Sequence, residues 1–503
     1  MSELLMLSVI LLPVLAGIMI WFFKFSERRY MCVYVVCALA AEAALCTALC
    51  FAPEAGLTVF SMTPSLRAAL RPDSLGKMFL MVASLGFLVS GIFSLKYMDR
   101  EEEEGSYPEK MFYSFYLMTL GAIAGMDLSS TLVGMYLFFE MITLLSVPMV
   151  LYEKTEEASR AAMKYLFYSM GGALLGLGCI FVLSGLSSSG EFSPGGILDP
   201  AAAASELPLI LGALFAGLVG FCTKAGMYPM HGWLPTAHPA APAPASAVLS
   251  GVITKAGVLA VIRLVFFTVG ANTVRGTWVQ YALCILSLIT VFMGSMMAYR
   301  ENVFKKRLAY SSVSQISYVL FGLFVMENSS VSGALLQVIF HASVKICLFL
   351  TAGSVIYNLG RRECSGYRGM GRYMPVTFAC FTMASLSLIG IPPFAGFTAK
   401  WFLALGSLSS DLEVISWAGP AVLLISALLT AGYLLPISVS AFFPGKEGIS
   451  MEGLPDTDFI RREGGALMKI PLILLAVFAL AAGVFSGTFT SLTGKIASYI
   501  LGL

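Results

Sequence analysis

The chain has 503 residues, of which 58% are hydrophobic and 12% are charged, and its formal net charge at pH 7 is +2. A soluble domain carries about 25% charged residues, so this composition excludes a soluble globular protein. No stretch of basic residues suggests a nucleic-acid partner. Apolar runs of about 20 residues recur along the whole chain, and they predict an all-α protein that crosses a membrane many times.

About 14 membrane spans are predicted by a 20-residue hydrophobic window. The first is too long for the apolar region of a secretory signal peptide and has no small-residue cleavage site, so we expect it to remain as a membrane helix. In chain order the predicted spans are 4–23, 30–52, 75–97, 111–126, 130–152, 162–185, 208–227, 240–268, 276–298, 307–325, 331–357, 376–405, 415–443 and 466–490.

Lysine and arginine are concentrated in alternate loops, and this pattern predicts the orientation of the spans. The connections near 186–206, 326–331 and 406–414 contain neither residue, whereas loops on the opposite side are basic. The basic loops are therefore expected to face the cytoplasm, with both termini outside and the chain in the cytoplasmic (inner) membrane. One connection, 53–74, is an exception because it contains Arg67 and Arg71.

Ionisable residues inside the spans are the strongest functional signal, because a charged side chain costs about 2.5–3.5 kcal/mol at the centre of a membrane helix. They begin with Glu140 in the fifth span, Lys224 in the seventh and Lys255 in the eighth. A cluster of prolines follows Lys224, so the helix must break there, and lipid tolerates broken backbone only where protein or water satisfies it. Lysines beside a helix break are typical of ion transport. The alternative is a re-entrant loop whose lysines reach the membrane surface.

A second group of ionisable residues follows in the later spans. His341 and Lys345 lie on one face of the eleventh span, and Lys400 follows a proline break in the twelfth. Five spans separate the two broken helices, so we predict an inverted repeat of spans 4–8 and 9–13 with ion sites at the breaks. The predicted units are an N-terminal three-helix segment, two repeat units, and a C-terminal loop with the last helix: 1–110, 111–268, 276–443 and 444–503.

Four sequence blocks together indicate a family. They are KAGMYPMHGWLPTAHPAAPAPASAVLSGVITKAGVLAVIR at 224–263, KKRLAYSSVSQISY at 305–318, HASVKICLFLTAGS at 341–354 and GIPPFAGFTAKWF at 390–402. They resemble the antiporter-like, proton-translocating subunits of respiratory complex I, a family that includes subunits of Mrp cation/proton antiporters and of membrane-bound energy-converting hydrogenases. The string HPAAPAPASAVLSG is most similar to the hydrogenase-associated branch. Family members have the inverted five-helix repeat within a set of 14 helices, which agrees with the span count.

The resemblance implies that six ionisable residues form an ion pathway: Glu140, Lys224, Lys255, His341, Lys345 and Lys400. Glu140 and Lys224 would act as a switch, because a nearby carboxylate favours a charged lysine and burial disfavours it. Protons would then pass along water chains through the later residues and leave at the twelfth span. Secondary candidates lie beside the first helix break and at the start of the tenth span: His231, His238, Lys305 and Lys306.

Three positions depart from the family's pattern or have no role in it. Thr236 and Val303 stand where relatives often carry acidic residues, so proton entry from the cytoplasmic side is expected to differ. Glu42 lies inside the second span without a matching motif, and we expect a local hydrogen bond or a contact with a partner subunit. The chain is also expected to lack the long lateral helix with which some complex I relatives clamp their neighbours.

Three functions are open on the sequence alone. The leading one is a subunit that translocates protons, or sodium ions, within a redox-driven complex of the complex I or energy-converting hydrogenase type. The alternatives are an Mrp-type Na⁺/H⁺ antiporter subunit and a structural membrane scaffold without transport.

No cofactor motif or CxxC pair is present in the chain. Any oxidoreductase activity, hydrogenase or NADH dehydrogenase-like, would therefore belong to the complex. A nickel–iron centre, iron–sulfur clusters or flavin are expected only in partner subunits. The expected partners are membrane lipid, other multispan antiporter-like and small membrane subunits, peripheral redox subunits, and the transported H⁺ or Na⁺.

Overall fold

Helices form almost all of the chain that the computed structural model describes, which comprises residues 2–61, 67–99, 109–445 and 463–503. Within these ranges, 13 helices are long and apolar enough to cross a membrane. The predicted fold class, an all-α membrane protein with many spans, is confirmed. The predicted loop at 446–462, in the C-terminal unit, lies outside the described residues.

The first half of the chain contains eight of these membrane-length segments and several short helices. In chain order its helices are α1 (Ser2–Met19), α2 (Arg28–Phe51), α3 (Ser74–Tyr97), α4 (Glu109–Leu128), α5 (Leu132–Val150), α6 (Glu156–Gly185), α7 (Pro200–Ser205), α8 (Leu207–Ala225), α9 (Leu234–Ala240), α10 (Ala243–Val248) and α11 (Thr254–Ile262). Two π-helical turns, Leu249–Ile253 and Arg263–Val269, flank α11, so that α10 to the second turn forms one continuous span.

The second half has the same character but contains one span made of two short helices. Its helices are α12 (Ala271–Val274), α13 (Trp278–Arg300), α14 (Phe304–Val325), α15 (Asn328–Leu359), α16 (Pro375–Ile389), α17 (Ala395–Leu408), α18 (Glu413–Phe442), α19 (Gly465–Val484) and α20 (Ser486–Leu501), with 3₁₀ turns at Cys364–Tyr367 and Met370–Arg372. The predicted twelfth span corresponds to α16 and α17. Counted as one span, this pair brings the membrane-length segments to the predicted number. The inverted repeat stays a prediction.

Three segments form the centre of the molecule. The apolar windows of α14 and α15 are each 94% buried, and that of the span Ala243–Val269 is 100% buried, whereas the corresponding windows of α1, α2 and α18 are less than half buried. The central segments are therefore shielded from lipid by protein. Ionisable groups carried on them face other side chains, as polar groups at membrane depth require.

A small β-hairpin, which the sequence analysis did not predict, interrupts the helical structure of the described chain. Strands β1 (Leu57–Ser61) and β2 (Arg67–Leu70) pair antiparallel in the 53–74 connection. Arg67 and Arg71 form ion pairs of 3.2 and 3.7 Å with Glu191, which belongs to the 186–206 connection. The two connections thus lie at the same end of the helices, as their position in the span order requires. The arginines that broke the charge pattern are paired with a carboxylate.

Helices α6 and α8 approach each other closely through two glycines. A Cβ atom on Gly220 would lie 2.3 Å from the carbonyl oxygen of Gly172. We therefore expect Gly220→Val to force the helices apart and to lower the free energy of unfolding by about 1–3 kcal/mol. The measurement is unfolding of the detergent-solubilised protein. Gly212→Val is the matched control, because Gly212 is on the same helix and has no atom within 4 Å of its ideal Cβ. Equal destabilisation by both variants would contradict this interpretation.

Candidate ion pathway

Both predicted helix breaks are present and share one geometry. α8 is followed by Gly226 with φ of +84°, and α16 is followed by Gly390 with φ of +92°. In each case the glycine N–H donates to carbonyls of the last turn, including those of Cys222 and Leu386. This left-handed ending favours glycine, because other residues incur a steric penalty there. At each break, the carbonyl groups of the helix end and polar side chains lie among helices that are long enough to cross a membrane.

Lys224 lies in the last turn of α8 and is completely buried. Its Nζ donates to the carbonyl oxygen of Phe139 at 2.5 Å and to Oγ1 of Thr143 at 2.8 Å. The same nitrogen lies 3.8 Å from the centroid of the Phe139 ring. These contacts come from α5, so the amine is held between the break and the helix that carries Glu140.

Glu140 is half-buried on α5, next in sequence to Phe139. Its carboxylate interacts with the Tyr136 side chain and, electrostatically, with Lys224. Both members of the predicted switch belong to the described chain, and no ion pair within 4.0 Å joins them. Glu140 and Lys224 are therefore neighbours that interact without a direct ion pair, and their action as a switch stays a prediction.

Lys255 and His341 are in direct contact at the centre of the molecule. Lys255 Nζ donates to the carbonyl oxygen of Ser250 at 2.7 Å and lies 2.8 Å from His341 Nδ1. When Lys255 is charged it can only donate, so Nδ1 then accepts this hydrogen bond and the proton of a neutral ring is on Nε2. Nε2 is buried, and no described residue is within hydrogen-bond distance of it. The imidazole thus has Lys255 on its Nδ1 side and no hydrogen-bond partner among the described residues on its Nε2 side.

Lys345 is one helical turn beyond His341 on α15 and is also buried. Its Nζ donates to the carbonyl oxygen of Leu308 at 3.0 Å and to the hydroxyl of Ser311, both on α14. The predicted pair therefore occupies one helix, but each member bonds to a different neighbour. His341 contacts the first half of the chain, and Lys345 contacts the second.

Two glutamines that the sequence analysis did not select lie one turn before His341 and on the facing helix. Gln337 Nε2 donates to Gln315 Oε1 at 2.9 Å, and the remaining amide atoms, Gln337 Oε1 and Gln315 Nε2, have no partner in the described chain. Buried amide groups normally have hydrogen-bond partners. Gln315 lies in the block quoted for the family resemblance, but it is not ionisable, and only its buried position at a central helix contact reveals it.

Lys400 lies on α17, and its amine is directed back to the end of α16. Nζ donates to the carbonyl oxygens of Leu388 at 2.7 Å and of Ile389 at 2.9 Å. The ring of Tyr318 on α14 has its centroid 5.0 Å from the same nitrogen. The carboxyl end of a helix carries a partial negative charge, so the second break supplies a favourable position for a cation.

The secondary candidates divide into buried and surface groups. His238 is buried, stacks on Phe349 with centroids 4.7 Å apart, and neither ring nitrogen has a partner in the described residues. Lys305 is buried and donates to the Ala241 carbonyl at 2.5 Å. His231 is half-buried beside the first break. Lys306 forms a 2.8 Å ion pair with Glu301 and its side chain is 40% exposed, so it lies at the surface.

Thr236 and Val303, the two positions expected to depart from the family's pattern, both have polar neighbours in the structure. Thr236 Oγ1 accepts a hydrogen bond of 3.1 Å from Lys164 Nζ, so a lysine amine lies next to this position. The backbone N–H of Val303 donates to Glu301 Oε1 at 3.1 Å, which brings a carboxylate next to the second position. Glu42 is fully buried, and the Cys46 thiol donates to it at 3.3 Å, which is the expected local hydrogen bond.

A buried ion pair anchors the end of the span that carries Lys255. Arg263 Nη1 and Nη2 donate to the two carboxylate oxygens of Asp73 at 2.5 and 2.8 Å, and the guanidinium lies 4.6 Å from the Phe267 ring centroid. Burial alone would raise the pKa of Asp73, but Arg263 outweighs it and holds the pKa below its ordinary value. Asp73 lies just outside a predicted span, so a search for charges within spans passes over it.

Comparisons with known proteins agree in fold and sequence. Residues 129–430 match the family model described as NADH:quinone oxidoreductase/Mrp antiporter, TM. NADH-quinone oxidoreductase subunit N of Desulforudis audaxviator is 32% identical over 421 residues, which cover 82% of this chain and 80% of that protein. Hydrogenase-4 component B of Escherichia coli is 29% identical over 81% of this chain and 61% of its own length.

One similar solved structure comes from the Mrp complex of Dietzia sp. DQ12-45-1b. It matches with a TM-score of 0.83 over 99% of this chain and 97% of that chain, at 22% identity. At this identity the likeness shows the fold alone. The complex I and hydrogenase relatives are similar to this chain at comparable identity, so its placement in the hydrogenase-associated branch stays a prediction.

Proposed function

This chain belongs to the NADH:quinone oxidoreductase/Mrp antiporter family of membrane subunits, and we propose that it translocates protons as part of a redox-driven complex. The chain is an antiporter-like membrane subunit. Its relatives include subunits of a quinone oxidoreductase and of a hydrogenase, which supports the redox-driven host. Nickel–iron, iron–sulfur or flavin groups would then reside in peripheral partner subunits.

The observation that carries this proposal is the 2.8 Å contact between Lys255 and His341. One residue lies in the predicted first unit and the other in the predicted second unit, so a proton exchanged between them passes from one half to the other. A structural role alone would not require a buried lysine to face a buried imidazole, because two apolar side chains would fill the space at lower desolvation cost.

The proposed route begins at Lys224 and ends at Lys400. Separation from Glu140 favours release of the Lys224 proton towards Lys255, and His341 passes it on from Nε2. Gln337 and Gln315 share one hydrogen bond, and each has one amide atom without a partner in the described chain. These free amide atoms would orient water between His341 and the second helix break. Lys400 receives the proton beside the carbonyl ends of α16.

The test is proton movement in membrane vesicles that contain the assembled complex. We expect Lys255→Met to reduce proton translocation per electron transferred by at least about tenfold, since removal of a general proton carrier typically costs 10²–10⁴-fold in rate. The readout is a pH-sensitive dye, with the redox rate followed in parallel. Lys495→Met, an exposed lysine on α20, is the control and should behave as the unmodified complex. Unchanged translocation by the Lys255 variant in an assembled complex would contradict the proposal.

Sodium transport within an Mrp-type assembly is the second candidate, because the Mrp complex subunit shares the fold over nearly the whole chain. The two candidates differ in their partners and in their ion. For the proton-translocating complex we expect affinity purification from mild detergent to recover peripheral redox subunits. We also expect sodium uptake into vesicles to be unchanged by substitutions of the residues on the proposed proton route. Recovery of small multispan subunits alone would favour the Mrp assembly.

We also propose a cytoplasmic-membrane location with basic loops inside and both termini outside, which cysteine labelling from either side can test.

A further inference from the structure

A groove separate from the ion pathway opens on one side of the bundle between α3, α15, α19 and α20. Its volume is about 660 Å³, and its walls are predominantly apolar. Leu85 on α3 and Leu492 on α20 line it and are 48% and 47% exposed. An apolar wall that is open at membrane depth can hold an apolar ligand without desolvating polar groups.

The length of the groove matches a lipid chain. Its lining on α3 runs from Ser74 to Val89, which at 1.5 Å per residue is about 22 Å. One leaflet of the hydrocarbon core is about 15 Å thick. The groove therefore extends from the end of α3 nearest the β-hairpin to beyond the depth of one leaflet. This extent suits one extended acyl chain with its headgroup at the hairpin end.

Among the described residues that line the groove, Lys77 is the cation, and it lies near the hairpin end. Lys77, in the first turn of α3, is half-buried, and its Nζ makes one long hydrogen bond of 3.4 Å to the carbonyl oxygen of Ala52. Within the described residues no carboxylate comes within 4.0 Å of it. The Lys77 amine can therefore donate further hydrogen bonds at the depth of the lipid headgroups. Its methylene groups lie along the apolar wall of the groove. This charge is complementary to a lipid phosphate.

We propose that the groove binds an anionic phospholipid, with an acyl chain between α3 and α15 and the phosphate on Lys77. A lysine at the depth of the headgroups attracts an anionic lipid, and its apolar stem can lie along the groove wall. The floor of the groove includes Ala342, Ser343 and Ile346 of α15, the helix that carries His341 and Lys345. The bound chain thus packs against the central helix without contacting the ionisable groups themselves. This inference does not depend on the proposed ion or host complex.

The first test compares retained lipids by native mass spectrometry of the purified full-length chain. The probes are phosphatidylglycerol and phosphatidylcholine added separately to the detergent-solubilised protein. We expect Lys77→Gln to weaken retention of phosphatidylglycerol about fivefold, because one lysine near a membrane surface contributes about 1 kcal/mol to anionic-lipid binding. Retention of phosphatidylcholine should not change.

Lys469→Gln is the matched control, because Lys469 is a half-buried lysine near the start of α19 that does not line the groove. It should retain phosphatidylglycerol as the unmodified chain does. Equal retention by the Lys77 variant and the control would overturn the proposal, and so would an equal loss of both lipids.

The second test identifies the occupant in native membranes. A photoreactive amino acid in place of Leu85 is expected to form adducts with phospholipid. Adducts with a polypeptide would show that a partner subunit covers the groove, and they would overturn the assignment. Because Leu85 is exposed on the groove wall, this replacement should leave folding intact.

Discussion

Lys224→Ala is expected to abolish ion translocation while the complex still assembles. The amine lies in the last turn of α8, and it is held by Phe139 and Thr143 and not by a carboxylate in contact. Its removal takes away the buried amine at the first helix break, which is the proposed acceptor and donor of the proton. The expected loss is at least about a hundredfold in translocation, in line with removal of an essential acid–base group.

Lys224→Arg separates the role of charge from the role of proton release. Arginine keeps the positive charge but stays protonated in proteins. We therefore expect it to assemble normally and to remain inactive. Translocation is measured in vesicles with a pH-sensitive dye, and assembly by the size of the purified complex. Normal pumping by an assembled Lys224→Ala complex would refute the role of this residue.

Asp73→Asn is expected to lower the free energy of unfolding by about 3–5 kcal/mol, since loss of one partner leaves the buried Arg263 charge uncompensated. Arg263 is 2% exposed, and both of its bonded nitrogens depend on Asp73. The measurement is denaturant or thermal unfolding in detergent. The double variant Asp73→Leu with Arg263→Met should recover part of the loss, because no buried charge remains. A single variant as stable as the unmodified protein would show that the guanidinium has another partner.

The same ion pair predicts a pH dependence with a definite sign. The pKa of Asp73 is lower in the folded protein than its ordinary value. Its contribution to stability is therefore complete above the unfolded-state pKa of about 3.9 and is lost as the pH falls through the lower folded-state value. Unfolding measured from pH 6 downwards should show this loss in the unmodified protein and not in the Asp73→Asn variant.

The ionisable residues and the helix breaks were predictable from sequence because each leaves a local signal. A lysine within an apolar run and a proline within a helix are both unfavourable in a membrane span. Their presence therefore indicates a functional site. Lys224, Lys255 and Lys400 were found in this way. The number of spans followed from hydrophobic length alone.

The contacts of these residues were not predictable in the same way. Asp73 and Arg263 are 190 positions apart, and Lys255 and His341 are 86 apart. No periodicity within one helix specifies a partner on another helix, because the pairing is set by how the helices pack. The glutamine pair was missed because an amide carries no charge. The β-hairpin was missed because its strands are short and lie within a connection.

The two π-helical turns that flank α11 have a mechanical consequence. A π-helical turn contains one more residue than an α-helical turn. Each of the two turns therefore holds one extra residue compared with a regular α-helix. Moving one such surplus residue from one end of α11 to the other would rotate the segment by about 100° while both ends of the span stay in place. Lys255 would then turn away from His341. Because the apolar window of this span is 100% buried, such a rotation would also require the helices around it to repack.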